Sequence, residues 1–349
     1  MTSRLSRLLI TGITGFIGSQ LAVYARAAGY NVTGIGLVRD ALERKRRDEL
    51  AAAGIDVLEV ALDNTEQLRE VMRGQEAVIH LAAAQHETDV PDSYFSNVNV
   101  EGTKNLLALA EEAGVSRFLY GSTIGIYGEA SEGELSEDSP PAPANAYSRT
   151  KLEAEQVVGR FNGRCEVFIA RISETYGPGD LRLLKLFRAI ATGRYLTIGN
   201  GRNEHQPIFV EDLCRALLTA LQSDAASGQT LVLAGEERVT TDGMVEAVGR
   251  AVGHPAPGVH LPLWPFSLAA SLCAAIFPRL GINPPLHPRR LDFFRKSFRF
   301  STARAAKVLG FRARVTFAEG AQRTAEWYRR EGLLPHAATM TGEGSLSGR

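Results

Sequence analysis

The stretch Thr11-Gly12-Ile13-Thr14-Gly15-Phe16-Ile17-Gly18 lies between a short apolar run, Leu8–Ile10, and an apolar-periodic segment from Leu21 to Ala28. That order reads as a strand, a glycine-rich turn and a helix start. Glycines at 12, 15 and 18 allow a tight turn, let backbone approach a pyrophosphate, and let the helix pack closely on the strand. The helix N-terminus adds unpaired N–H groups and the positive end of its dipole. A dinucleotide cradle built from Gly12, Thr14, Gly15, Phe16, Ile17 and Gly18 is the expectation.

Behind it, apolar runs rich in Val, Ile and Leu alternate with helical patterns. Strands are expected at 8–11, 32–37, 56–60, 77–81, 118–122 and 167–171, and helices at 16–28, 41–53, 65–73, 93–113 and 146–161. Such alternation means a parallel sheet covered by helices on both faces. The expected fold is α/β: a Rossmann-type doubly wound parallel sheet with a smaller mixed C-terminal substrate-binding lobe. Right-handed crossovers put the strand C-terminal ends, and the ligand, along one edge. The expected division is a dinucleotide-binding domain over 1–171, a lobe over 172–334 interleaved with the sheet, and a disordered tail over 335–349.

In the second half prolines and glycines become frequent and the expected strands, 195–198 and 230–233, are short. Ser301 is expected to cap a helix running to Leu309, with Gly310 past its end, and 317–330 to form a last amphipathic helix. The segment 261–277 is the most hydrophobic. Broken by Pro262 and Pro265, it falls short of the ~20 apolar residues that span a bilayer. It reads as a core helix, with two alternatives. One is a lid over an apolar substrate; the other is a membrane-surface helix supported by Arg289, Arg290, Arg295 and Lys296.

The 349 residues are 44% hydrophobic, enough for a large core. Lys plus Arg equals Asp plus Glu, at 39 each, so no global charge draws the chain to nucleic acid or an anionic surface. Cys165, Cys214 and Cys273 fit no metal or disulfide spacing, and no metal site is expected. With no room for a signal peptide before the first strand, a cytoplasmic protein acting on a small molecule is expected.

Tyr147 and Lys151 stand four apart at the start of an expected helix and so share a face. A phenol titrates near ~10 in water and is a poor base at neutral pH. A neighbouring ammonium and an oxidised nicotinamide favour the phenolate. Such a Tyr takes a proton from a carbinol as hydride leaves for the ring, or returns it. Ser122 and Thr123, at the C-terminal end of the fifth strand, point to opposite faces, so only one can serve the substrate oxygen.

The glycine motif, His80-Leu81-Ala82-Ala83, Asn99-Val100-Glu101-Gly102-Thr103, Thr123…Tyr127-Gly128, Tyr147…Lys151 and Tyr176-Gly177-Pro178-Gly179 occur in the order seen in extended short-chain dehydrogenase/reductases. The chain resembles that group, also called the NAD-dependent epimerase/dehydratase family, over about residues 7–330. The resemblance implies Thr123 as the catalytic hydroxyl, Tyr147 as acid/base and Lys151 on the nicotinamide ribose. It also implies Asn99 in support, Leu81, Ala82 and Ala83 along the cofactor groove, and a homodimer through the helices at 93–113 and 146–161.

Where the family usually carries an acid for the adenosine ribose, this chain has Gly36, followed by Arg39 and by Arg44, Lys45 and Arg46. A small residue beside arginine suits a 2′-phosphate, so NADP is expected over NAD; the opposing reading has Asp40 reaching back. Relatives acting on nucleotide-diphosphate sugars carry Asn and Arg where this chain has Glu174 and His205. An added like charge and a lost phosphate clamp, with the apolar 261–277 segment, resemble instead the sterol-, flavonoid- and acyl-type reductases of the same group. Gln85, Glu174, Thr175 and His205 are the candidate substrate contacts. The first functional reading is an oxidoreductase interconverting a secondary alcohol and a ketone. The alternative is a nucleotide-sugar epimerase or dehydratase that uses tightly bound NAD(P) transiently; a non-catalytic sensor would not need the Thr–Tyr–Lys set.

Overall fold

A computed structural model describes residues 5–85, 90–128, 133–255, 258–277 and 291–335. The chain divides into two compact units that alternate along it: residues 1–179, 204–238 and 296–316 form the first, and 180–203, 239–295 and 317–349 the second.

The first unit is built on seven strands: β1 (Arg7–Thr11), β2 (Asn31–Ile35), β3 (Asp56–Leu58), β4 (Ala77–His80), β5 (Arg117–Thr123), β6 (Glu166–Ile172) and β7 (Thr230–Leu233). They lie in the order β7-β6-β5-β4-β1-β2-β3, every neighbouring pair parallel. This is the doubly wound sheet the alternation predicts. Side chains leave a strand on alternate faces, so each central strand feeds two cores. Leu8 and Ile10 of β1, with Ala77 and Ile79 of β4, belong to one apolar cluster; Leu9 and Val78 belong to the other.

The first cluster is closed by α1 (Phe16–Ala27), through Leu21, Ala22 and Ala25, by Leu50 of α2 (Ala41–Ala52), and by the helix Val210–Gln222. The second is closed by α3 (Thr65–Met72), α5 (Gly102–Ala113) and α6 (Ala146–Gly159). Fully burying each Leu or Ile contributes about 1.5–3 kcal/mol, so both faces hold the sheet strongly.

The expected long helix over 93–113 is three pieces: α4 (Asp92–Ser96), a π-helical turn (Asn97–Glu101) and α5. Ser301 does not cap the later helix. The first unit's helix Ala303–Leu309 starts after Thr302 without a side-chain cap, while Ser301 donates its N–H to Leu135 O. Gly310 ends it at φ 61°.

In the second unit the helices Leu184–Ala191, Thr241–Val252 and Phe317–Arg330 bury Phe187, Val248, Ala321 and Tyr328. The Phe187 and Tyr328 rings meet edge to face at 5.1 Å, and Tyr328 Oη donates to Asp180 O at 2.6 Å. The apolar segment forms the helix Leu263–Ile276. Pro265 falls in its first turn, where no amide hydrogen is needed, so the helix starts before the proline. It is not the core helix expected from its composition: Ala270 is buried, but Trp264, Leu268 and Leu272, four apart on one face, are 69, 56 and 52% exposed. No helix among the described residues is long and apolar enough to cross a membrane. Arg289, Arg290 and the tail over 336–349 lie outside the described residues.

Candidate active site

Sheet order reverses at β1, which has β2 on one side and β4 on the other. Beyond the carboxyl ends of the strands at such a point lies the crevice where this architecture binds ligands. Gly12 turns the chain there at φ 71°, its N–H donating to Ile35 O at 2.8 Å. A Cβ on Gly12 would sit 2.8 Å from Ala82 N, and one on Gly18 would sit 2.2 Å from Gly12 O. The second closeness is what lets α1 lie against the turn. Gly15 occupies the N-cap of α1 and no side chain caps the amides of its first turn. Those open amides and the glycine-lined approach fit a dinucleotide pyrophosphate.

The loop after β4 is stitched to the same turn. Leu81 N and Ala82 N both reach Thr11 Oγ1, at 3.2 and 3.1 Å. Asn99, 1% exposed in the π-helical turn, accepts from Ala84 N at 2.7 Å and donates to Ala84 O at 3.0 Å and to Thr150 Oγ1 at 2.9 Å. Its amide therefore ties the 81–84 loop to α6.

A reciprocal capping box starts α6: Asn145 Oδ1 accepts from Ser148 N at 2.8 Å, and Asn145 N donates to Ser148 Oγ at 3.2 Å. This fixes the first turn, where Tyr147 sits half-buried. One turn on, Lys151 is 2% exposed; its Nζ donates to Gly121 O at 2.6 Å and lies 4.1 Å above the Tyr120 ring. Burial pulls the Lys151 ammonium down to about 7, against the opposing pull of Glu155.

The two adjacent hydroxyls of β5 separate as strand alternation requires. Ser122 is buried and donates to Glu155 Oε1. Thr123 is partly exposed, and its Oγ1 accepts from Gly125 N at 3.0 Å, which leaves its own proton to give.

Of the candidate substrate residues, Glu174 and His205 approach each other, with 3.9 Å between Oε2 and Nδ1. His205 is buried, which pushes its imidazole down to about 4, so at neutral pH it faces Glu174 uncharged. Thr175 is buried and donates to Ser173 O, whereas Gln85 is exposed at the end of a described segment.

The sequence reading missed Glu155 and Arg171, two charged residues buried at this end of the sheet. A charge in the middle of the apolar run Phe168-Ile169-Ala170-Arg171-Ile172 was the available signal, because a buried guanidinium requires a partner.

A doubly wound sheet with an open helix N-terminus at its reversal point and a buried Lys one turn beyond a Tyr defines a dinucleotide-dependent enzyme. The chain belongs to the NAD-dependent epimerase/dehydratase family, whose model matches residues 8–234. It is 28% identical to UDP-glucose 4-epimerase of Mycolicibacterium smegmatis, over 93% of this chain and 98% of the relative. Its fold matches UDP-glucuronic acid 4-epimerase of Bacillus cereus in complex with NAD at a TM-score of 0.76, with 21% identity over 93 and 99% of the two chains. MoeE5 in complex with UDP-glucose and NAD matches at 0.70, with 25% identity over 93 and 99%.

The cofactors in these complexes overturn the expected preference for NADP. The physical reason lies in the arginines that suggested it. The Arg39 backbone N–H donates to Glu43 Oε2 at 2.7 Å, and Asp40 caps α2 through Glu43 N, so two carboxylates stand beside Arg39 and would oppose a 2′-phosphate there. Arg46 is drawn to Thr14 O and Gly179 O, and neighbouring Arg47 to Asp48 and Glu59. Gly36 is small for a steric cause: a Cβ there would lie 2.7 Å from Thr14 Oγ1.

Proposed function

We propose that the protein is a nucleotide-sugar epimerase or dehydratase that holds NAD and uses it transiently, the hydride leaving and returning to one sugar. The observation that carries this reading is Tyr147 in the capped first turn of α6, with Lys151 on the same face, in a chain that aligns with a UDP-glucose 4-epimerase over nearly its whole length. The relatives favour transient use of the cofactor over the net alcohol–ketone oxidoreductase of the first reading.

In this mechanism the glycine turn and the first-turn amides of α1 hold the pyrophosphate, and Leu81–Ala83 line the groove. Lys151 turns from Gly121 O to the nicotinamide ribose. NAD, when bound, supplies a reversible hydride acceptor at nicotinamide C4. Tyr147 takes the proton of a sugar hydroxyl as its carbon is oxidised and gives it back on reduction. Thr123 donates a hydrogen bond to the same oxygen, stabilising charge as it develops. Glu174 and His205 offer a carboxylate and a neutral imidazole to the sugar nucleotide.

The test is a panel of UDP- and dTDP-hexoses with purified protein, reading sugar conversion and net NADH together. Conversion without net NADH, with Tyr147→Phe lowering turnover at least ~10²-fold while NAD affinity holds, is expected. Stoichiometric NADH would instead return the dehydrogenase reading.

A further inference from the structure

Tyr147, Lys151 and Glu155 recur every four residues and so share one face of α6. Glu155, 5% exposed, is gripped from two strands. Ser122 of β5 donates to its Oε1. Arg171 of β6 donates through Nε to both carboxylate oxygens at 3.2 Å and through Nη2 to Oε2 at 2.8 Å. Arg171 Nη1 runs on to Tyr127 Oη at 2.5 Å and Glu137 O at 2.9 Å, so the guanidinium is itself fixed. The carboxylate therefore has one orientation.

The groups around Lys151 are few. His80 on β4 is kept neutral by burial, and secondarily by Lys151 itself; Tyr120 on β5 is held protonated, chiefly by burial. Tyr147 and Glu155 share its helix, and Arg171 on β6 stands behind Glu155. Of these, Glu155 alone brings a standing negative charge.

We propose that Glu155 is a positioning residue that supplies the fixed counter-charge for Lys151, through a Ser122–Glu155–Arg171 clamp tying α6 to β5 and β6. The proposal rests on the reading of Lys151 as the ribose-holding group. Burial strips the ammonium of water, and a charge placed rigidly one turn away offsets part of that loss. It also explains why the second β5 hydroxyl, which takes no part at the substrate, is a serine: its proton orients the carboxylate.

The chain has six lysines, so with ε-¹³C-lysine the Lys151 resonance is assigned by its loss in Lys151→Ala. Titrated without cofactor, Lys151 is expected near pH 7 in the wild type and about one unit or more lower in Glu155→Gln, the effect of removing a close opposite charge. Glu155→Gln leaves Arg171 buried and unpaired, so E155Q/R171M removes both charges and keeps the fold within reach. The lowered titration is expected to persist there, with NAD binding by calorimetry weakened more at pH 8 than at pH 6. Glu155→Asp, which keeps the charge, should recover part of the shift. A wild-type Lys151 titration in both Glu155→Gln and E155Q/R171M overturns the proposal. If the titration moves but Lys151→Ala leaves NAD affinity unchanged, the counter-charge stands and the ribose-holding reading falls.

Discussion

Burial sets the charge state of individual side chains here more than pairing does, and His205 shows it. Glu174 stands 3.9 Å away, yet desolvation takes His205 to about 4. Between pH 6.5 and 4 the unfolded chain therefore binds a proton that the folded chain does not, and stability falls as pH drops through that window. Replacing His205 by Gln should flatten the dependence of Tm on pH between 6.5 and 4, measured by scanning calorimetry; an unchanged slope would mean His205 is protonated in the fold. Lys151 behaves in the same sense at higher pH. With its folded value near 7 and an ordinary value of 10.5, the cost of burying its charge is full below pH 7 and is relieved as pH rises toward 10.5. The site thus carries a destabilising buried amine, as a group kept for chemistry rather than packing would.

Among the elements, those with a local cause are legible in the sequence. The β1–turn–α1 unit follows from the apolar run, the glycine spacing and the periodic segment behind it, and a Cβ on Gly18 would lie 2.2 Å from Gly12 O. Gly18→Ala should therefore lower Tm and abolish stabilisation by NAD in a thermal-shift titration; retained NAD stabilisation would place the phosphates elsewhere. What the sequence hid depends on neighbours far along the chain. The break at Asn97–Glu101 leaves no mark in an apolar pattern that continues through it, since a π-turn shifts hydrogen bonds without changing composition. Glu155 and Arg171 are 16 residues apart and meet only because α6 packs beside β6. The arginines after β2 misled for the same reason: their count was visible, but the carbonyls that hold Arg46 and the carboxylate on the Arg39 backbone amide were not.

For the molecule as a whole, the sheet is completed only by a segment that returns late. The chain passes between its two units five times, at 179/180, 203/204, 238/239, 295/296 and 316/317. β7, Thr230–Leu233, pairs with β6 over its whole length, and the helix Val210–Gln222 covers the α1 face through Leu213, Leu217, Ala220 and Leu221. Both lie beyond residue 179. A fragment ending there keeps every proposed cofactor residue but exposes the edge of β6, an apolar strand with unpaired backbone groups, together with half of an apolar cluster. Expressed alone, residues 1–179 should aggregate or melt without a cooperative transition and should bind no NAD, whereas the full chain should unfold in one transition displaced upward by NAD. A soluble fragment with wild-type NAD affinity would show that the glycine cradle is stable without the returning strand and helix. The site would then depend on β1–β6 alone.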